Sequence, residues 1–405
     1  MMEKRNVPRL RFPGFEGEWN SKTLREISDY VDYRGKTPQK TEEGVYLVTA
    51  KNIKQGYIDY EISKEYILET DYESVMRRGK PKIGDVLITT EAPLGNVAAI
   101  DREDIALAQR VIKLRGKQKV ISNDFLKHRL ISPQFQQIIS DRSSGSTAKG
   151  IKGAELHKIQ ILFPSSEEQN KIANVLSVID EMLNRIKKKK ALLEKYKKGM
   201  MQKIFNQEIR FKDEDGKDFE EWQARSIGDV AEIIGGGTPE TGNEEYWNGN
   251  IHWFTPTEIK QKYATKSART ITPLGLQKSS AKLLPVGALL LTTRATIGDV
   301  SIATEECATN QGFQSLVSKE GYNNVFLYNW IKMNKHELVQ RANGSTFPEI
   351  SKSEIEQIPL SVPGFEEQTK IANFLSAIDD KINLVAVQIE KMEKFKKGLL
   401  NEMFV

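Results

Sequence analysis

Cysteine is nearly absent from these 405 residues: there is one, Cys307, with no partner for an internal disulfide. The chain is therefore expected to fold without covalent staples in a reducing compartment, by default the cytoplasm. Histidine is scarce too, and the four residues 128, 157, 252 and 336 never stand beside the cysteine in metal-ligand spacing, so no metal site is expected. The longest apolar stretch, Leu283 to Leu291, is short and interrupted by Pro285 and Gly287. The opening MMEKRNVPRLRF carries charge without an apolar core, and neither segment reads as a membrane span or a secretory leader. Nor is there a large excess of one charge: 60 Lys and Arg stand against 55 Asp and Glu, a formal +5 with a pI near 8.9. That balance permits a polyanion to be met by a local patch and does not require it.

Signatures of catalysis are missing in the same way. Gly35-Lys36-Thr37 imitates the end of a phosphate-binding loop, but Tyr30 stands where its first glycine is needed, so the backbone cradle is lost. Gly235-Gly236-Gly237-Thr238-Pro239 occupies the corresponding place later in the chain and suits a tight turn or a close backbone approach to a ligand. His336-Glu337 opens like a zinc-protease helix, yet Gln340 fills the place of the second histidine. No proline precedes an aspartate, which removes the usual nuclease opening, and no Asn-Pro-Pro-Tyr or Asp-Pro-Pro-Tyr segment is there to hold a flipped base. The expectation is a chain with no catalytic residues and no metal or cofactor of its own.

What is present is a duplication. EEQNKIANVLSVID, Glu167 to Asp180, recurs as EEQTKIANFLSAID, Glu366 to Asp379, with eleven of fourteen positions identical at an offset of 199. The offset holds without a gap through KYKKGMMQKIF (Lys195 to Phe205) and KFKKGLLNEMF (Lys394 to Phe404). Upstream, GDVLITTEAPLGNVAA from Gly84 answers GALLLTTRATIGDVSI from Gly287, and SSGSTAKGI around Gly145 answers ANGSTFPEI around Gly344. Residues 40–81 and 240–285 occupy equivalent places and scarcely resemble each other. A chain this long exceeds one ordinary core, and the repeat divides it into a first domain (1–164), a helix (165–205), a second domain (206–364) and a second helix (365–405). The domains read as mixed α and β with short strands such as 85–90, 97–100 and 288–293, and with helix over 123–140 and 325–341.

The helices are clearer, because apolar residues recur at 4,3 spacing. Ile172, Leu176, Ile179, Leu183, Ile186, Leu193 and Met200 form one seam, with Lys190 in an apolar slot; Ile371, Leu375, Ile378, Ile382, Val385, Ile389, Met392 and Leu399 form the other. Roughly 38 residues at about 1.5 Å each span about 57 Å, the length of a spacer. One such helix packs on its own domain as readily as on a partner. Two near-copies point to each other, as a coiled coil. Lys190 either fixes register at a cost in stability or faces an acidic group of a partner.

Two variable domains, each followed by an EEQxKIAxxLSxID helix ending in a KKGLL-like segment, resemble the specificity subunit of a Type I restriction-modification system. LRFPGFEGEW near the start and the GSTxxxI loop before each helix add to the likeness, which covers essentially the whole chain. It implies an α+β protein with two target recognition domains joined by two long helices in an antiparallel coiled coil, a pseudo-two-fold repeat. By the same resemblance each domain reads half of a bipartite, asymmetric site in double-stranded DNA. The helices set the spacing and dock two modification (methyltransferase) subunits, and restriction (translocase and nuclease) subunits complete the complex. S-adenosylmethionine, ATP and Mg are then expected on the partners. The alternatives are a coiled-coil scaffold that binds no DNA, or the specificity subunit of a related system with a fused nuclease.

For DNA contact the candidates are polar, basic and aromatic residues in loops between strands: Arg34, Lys36, Thr37, Lys51, Asn52, Arg110, Ser146, Thr147 and Lys149 in the first domain, and Trp253, Thr255, Thr257, Arg294, Gln311, Ser345 and Thr346 in the second. Arg and Gln suit bidentate contacts to guanine and adenine edges, whereas Ser, Thr and Lys more often hold phosphates. For helix pairing and partner docking the candidates are Ile172, Leu176, Ile179, Leu183, Ile186, Ile371, Leu375, Ile378, Ile382 and Val385.

Overall fold

The structure, a computed structural model, describes residues 6–33, 38–145, 149–344 and 348–405. Its compact units do not follow chain order. One consists of residues 1–189 with 385–405, the other of 190–384. Each contains one globular domain, the start of the long helix that follows that domain and the end of the other long helix.

In the first unit an antiparallel sheet runs Ser28–Asp32, Val111–Gly116, Val86–Thr90, Leu94–Ala99. A second sheet pairs Val45–Val48 antiparallel with Tyr66–Ile67 and parallel with Ile105–Leu107. The second unit repeats the plan: Ala231–Gly235, Gln314–Ser318, Leu289–Leu291, Val300–Ala303 and Tyr263–Ala264 make the larger sheet. Trp247–Phe254 joins Arg269–Ile271 and, in parallel, Cys307–Thr309 in the smaller one. A two-stranded ribbon clips each domain shut, Asn20–Thr23 on Gln160–Phe163 and Gln223–Ser226 on Pro359–Val362. Both ribbons turn into a one-turn helix through a capping box, Thr23 with Glu26 and Ser226 with Asp229.

The helical stretch expected over 123–140 is broken. Asn123–Ile131 stops at Ser132, and Pro133–Arg142 starts anew. Pro133 disfavours helical backbone at the residue before it, so Ser132 is extended (ψ 145°), and its hydroxyl accepts from the Phe135 amide to cap the second helix. The second unit breaks at Asn334 between Asn324–Met333 and Lys335–Gln340, without a proline.

The long helices are Ser166–Phe205 and Phe365–Met403. Ile172 and Leu176 sink into the core of the first unit beside Trp19, Phe125 and Phe135, together with Leu400, Met403 and Phe404 from the other helix. Ile371, Leu375 and Ile378 do the same in the second unit, with Met201 and Ile204. Packing on a domain and packing on a partner helix are thus one arrangement. Ile179, Leu183 and Val385 are buried, whereas Ile186 and Ile382 are only partly so. No helix among the described residues is long and apolar enough to cross a membrane.

Candidate nucleic-acid interface

The repeated EEQ motif anchors each long helix to its domain. Glu168, 1% exposed, accepts two hydrogen bonds at 2.8 Å from Arg11, and Glu367, 0% exposed, accepts from Arg210 at 3.4 and 2.9 Å. Gln169 donates to the Val120 and Pro164 carbonyls and accepts from the Ser122 amide; Gln368 treats Gly321, Pro363 and Asn323 alike. An acid in the first turn of a helix ordinarily serves as a partner of the helix dipole. Only Glu167 is left exposed for that role in the first unit, and Glu168 is a buried half of a bidentate ion pair.

The two conserved segments of the repeat meet across the helices. Asp180, the last residue of the first signature, pairs with Lys396, and seven residues on Lys187 pairs with Glu393, three residues back: the helices run antiparallel there. In the second unit Asp379 receives Lys197 at 2.5 Å and Lys262 at 3.0 Å. Lys197 and Lys396 are 199 apart, as are Asp180 and Asp379, so one crossed pair occurs twice. All four side chains are 13–18% exposed. Lys190 instead bonds Glu194 of its own helix at 2.8 Å. Sequence reasoning missed Lys197 and Lys396, although each falls in a heptad slot where an apolar residue is expected.

At one edge of each domain the described residues on either side of the Gly-Ser-Thr motif pair with each other and bond to the Thr-Thr segment. Ser144 and Gly150 exchange backbone hydrogen bonds at 2.9 and 3.0 Å, and the Ile151 and Thr90 amides donate to the Thr90 and Arg110 carbonyls, both at 2.9 Å. Asn343 and Glu349 exchange bonds at 2.9 Å, Ile350 donates to Thr293, and Thr293 to Gly312. Arg110, with φ at +70°, lies 3.6 Å from Glu91, and Arg294 lies 2.8 Å from Glu349 of the loop. Both guanidinium groups are about half exposed, so these pairs orient the side chains while adding little stability. Thr238, which follows the triple glycine, donates to Gln311 in the same cluster; no tight turn forms there, and Gly236 and Gly237 instead lie against the backbone of residues 309–310 and 280–281. Lys51, Lys149 and Thr257 are exposed, and Thr255 caps a short turn through Glu258 at 2.7 Å.

Two of the expected contact residues face inward. Asn52 is 0% exposed; its amide donates to the Tyr46 hydroxyl and the Asp59 and Ser63 carbonyls and accepts from the Thr49 amide and hydroxyl. With its polar atoms so used, it holds a loop in shape and meets no ligand. Trp253 is 4% exposed and donates to the Gly237 carbonyl, which makes it core. Arg34, Lys36, Thr37, Ser146, Thr147, Ser345 and Thr346 lie outside the described residues. Among the described residues no group of three His, Cys, Asp or Glu could hold a metal ion. Burial pushes the Cys307 thiol up to about 12, so it is inert.

Frame, anchors and crossed pairs define a duplicated protein whose halves share their structural contacts and differ in residues 40–81 and 240–285. Residues 16–195 and 219–394 match the model of the Type I restriction modification DNA specificity domain, and the chain belongs to that family. It is 37% identical over 207 residues to the Type I restriction enzyme MjaIX specificity subunit of Methanocaldococcus jannaschii; that match spans 50% of this chain and 48% of the relative. The putative MjaX specificity subunit of the same organism is 27% identical over 95% of this chain and 92% of its own. In fold the chain is similar to the S subunit of a Type I restriction-modification system from M. genitalium, with a TM-score of 0.63 at 15% identity, covering 98% of this chain and 99% of the other. A chain of a type I system solved to explain complex assembly and conformational transition gives a TM-score of 0.55 at 19% identity over 98% and 99%.

Proposed function

We propose that the chain is the DNA-reading, non-catalytic subunit of a Type I restriction-modification complex. Each domain binds one half of a split, asymmetric site in duplex DNA, through its variable segment and the edge that carries the turn at Arg110 or Gln311. The long helices set the gap between half-sites and offer their remaining faces to two modification subunits. Methyl transfer, translocation and cleavage, with S-adenosylmethionine, ATP and Mg, belong to the partners. One observation carries this reading: two copies of one frame, locked by the same ion pairs, present unlike segments at the same place. A structural scaffold has no need of that contrast, while a reader of two different half-sites needs it.

The test is titration of labelled duplexes into the complex with modification subunits at several salt concentrations. The expected result is preference for one split sequence and a log K that falls linearly with log salt, since phosphate contacts release counterions. Binding with neither property is the behaviour of a scaffold and contradicts the proposal.

A further inference from the structure

Arg269 is held in place by aromatic rings rather than by an acid. Its guanidinium carbon lies 3.4 Å from the centroid of the Trp247 ring and 5.8 Å from that of Trp253. The two indoles meet edge to face at 5.1 Å and 87°, and strand pairing sets Trp253 directly opposite Arg269. Both rings are fixed from behind: Trp247 donates to the Glu240 carbonyl at 3.1 Å and Trp253 to the Gly237 carbonyl at 2.9 Å. The platform is buried at 6% and 4% exposure, while Arg269 is exposed. Among the described residues no carboxylate lies within ion-pairing distance of it. Arg294 by contrast is tied to Glu349, and Arg102, which lies over Tyr60 in the first unit, is bonded to Asp104.

Stacking uses the face of a guanidinium and leaves its N–H groups pointing outward in the plane of the group. A flat, pre-oriented fork with no neutralising acid matches the paired acceptors O6 and N7 of guanine in the major groove. Its position favours a base over a phosphate. Phosphate contacts carry no sequence information and suit segments that the two units share, whereas Arg269 lies in 240–285, where they differ. The segment whose carbonyls hold the two rings also carries Thr238, the partner of Gln311, so the platform is tied to the edge described above. We propose that Arg269 reads a guanine in the half-site of the second domain, an assignment that rests on the DNA-reading function.

The experiment uses the full chain with its modification subunits and a duplex set in which each base pair of both half-sites is replaced in turn. Wild type, Arg269→Ala and Arg269→Lys are compared for methylation rate and binding. Discrimination at one G·C pair of the second half-site, roughly 5- to 150-fold for a bidentate contact, is expected to vanish in Arg269→Ala. It should mostly vanish in Arg269→Lys, which keeps the charge and loses the fork. Discrimination across the first half-site stays as in wild type, which also reports that the variants are folded. Uniform weakening on all sequences with a shallower salt slope makes Arg269 a phosphate contact, and losses at both half-sites in both variants make it a structural prop; either overturns the assignment. A wild-type complex that discriminates nowhere fails the DNA-reading function itself and takes the assignment with it.

Discussion

His128 and Asn329 stand six residues after the helix caps Ser122 and Asn323, and both are 0% exposed. Burial, and then the charges of Lys127 and Lys396, push the His128 imidazole well below its ordinary 6.5, so it is neutral in the folded protein. The unfolded chain takes up a proton below about pH 6.5 that the folded chain refuses, so this group's contribution is whole above that pH and is lost as pH falls towards the depressed value. His128→Asn, which installs the residue of the other unit, should therefore lessen the drop in urea midpoint between about pH 7.5 and about pH 5. An unchanged drop would assign the acid sensitivity elsewhere. At this scale the sequence is least informative. Asn52 and Trp253 have the chemistry of contact residues, but residue type does not say which way a side chain points. Arg269 stands in a basic stretch like any solvated residue, and only the strand pairing sets it over the tryptophans at 247 and 253.

Elements were far more legible, since periodicity reports the buried face directly. Both seams were visible in the 4,3 spacing, and the break at Ser132 has a cause printed one residue later as Pro133. What periodicity could not show was the partner of each lysine in a seam slot. Mostly buried ion pairs resist separation: removing Asp180 strands Lys396 with little water, and removing Lys396 leaves Asp180 only the longer pair with Lys127 at 3.6 Å, so Asp180 and Lys396 should be coupled. Single Asp180→Ala and Lys396→Ala variants and the double variant form a thermodynamic cycle. A coupling of about 1 to 2 kcal/mol is expected from urea unfolding of the chain. Simple additivity would show that apolar packing alone fixes the register.

For the molecule as a whole the duplication is the informative feature, and it was readable at once because the offset of 199 is kept through both conserved segments. Residues 1 to 205 carry Asp180 and also Lys197, the counterpart of Lys396; they carry Lys187 and also Glu194, the counterpart of Glu393. Two copies of this half can therefore make the crossed pairs with each other. With the methyltransferase partner they should methylate a palindrome built from the first half-site. Active half-chains that methylate the original asymmetric site would remove the second domain from DNA reading.

The claim that each domain reads its own half-site is tested most directly by exchanging residues 40–81 for the equivalent segment of another such subunit, and sequencing methylated DNA from cells that make the chimaera with its modification partner. The account predicts a motif in which one half changes to that of the donor while the other half and the gap stay as they were. A motif changed in both halves, or in neither, would contradict it.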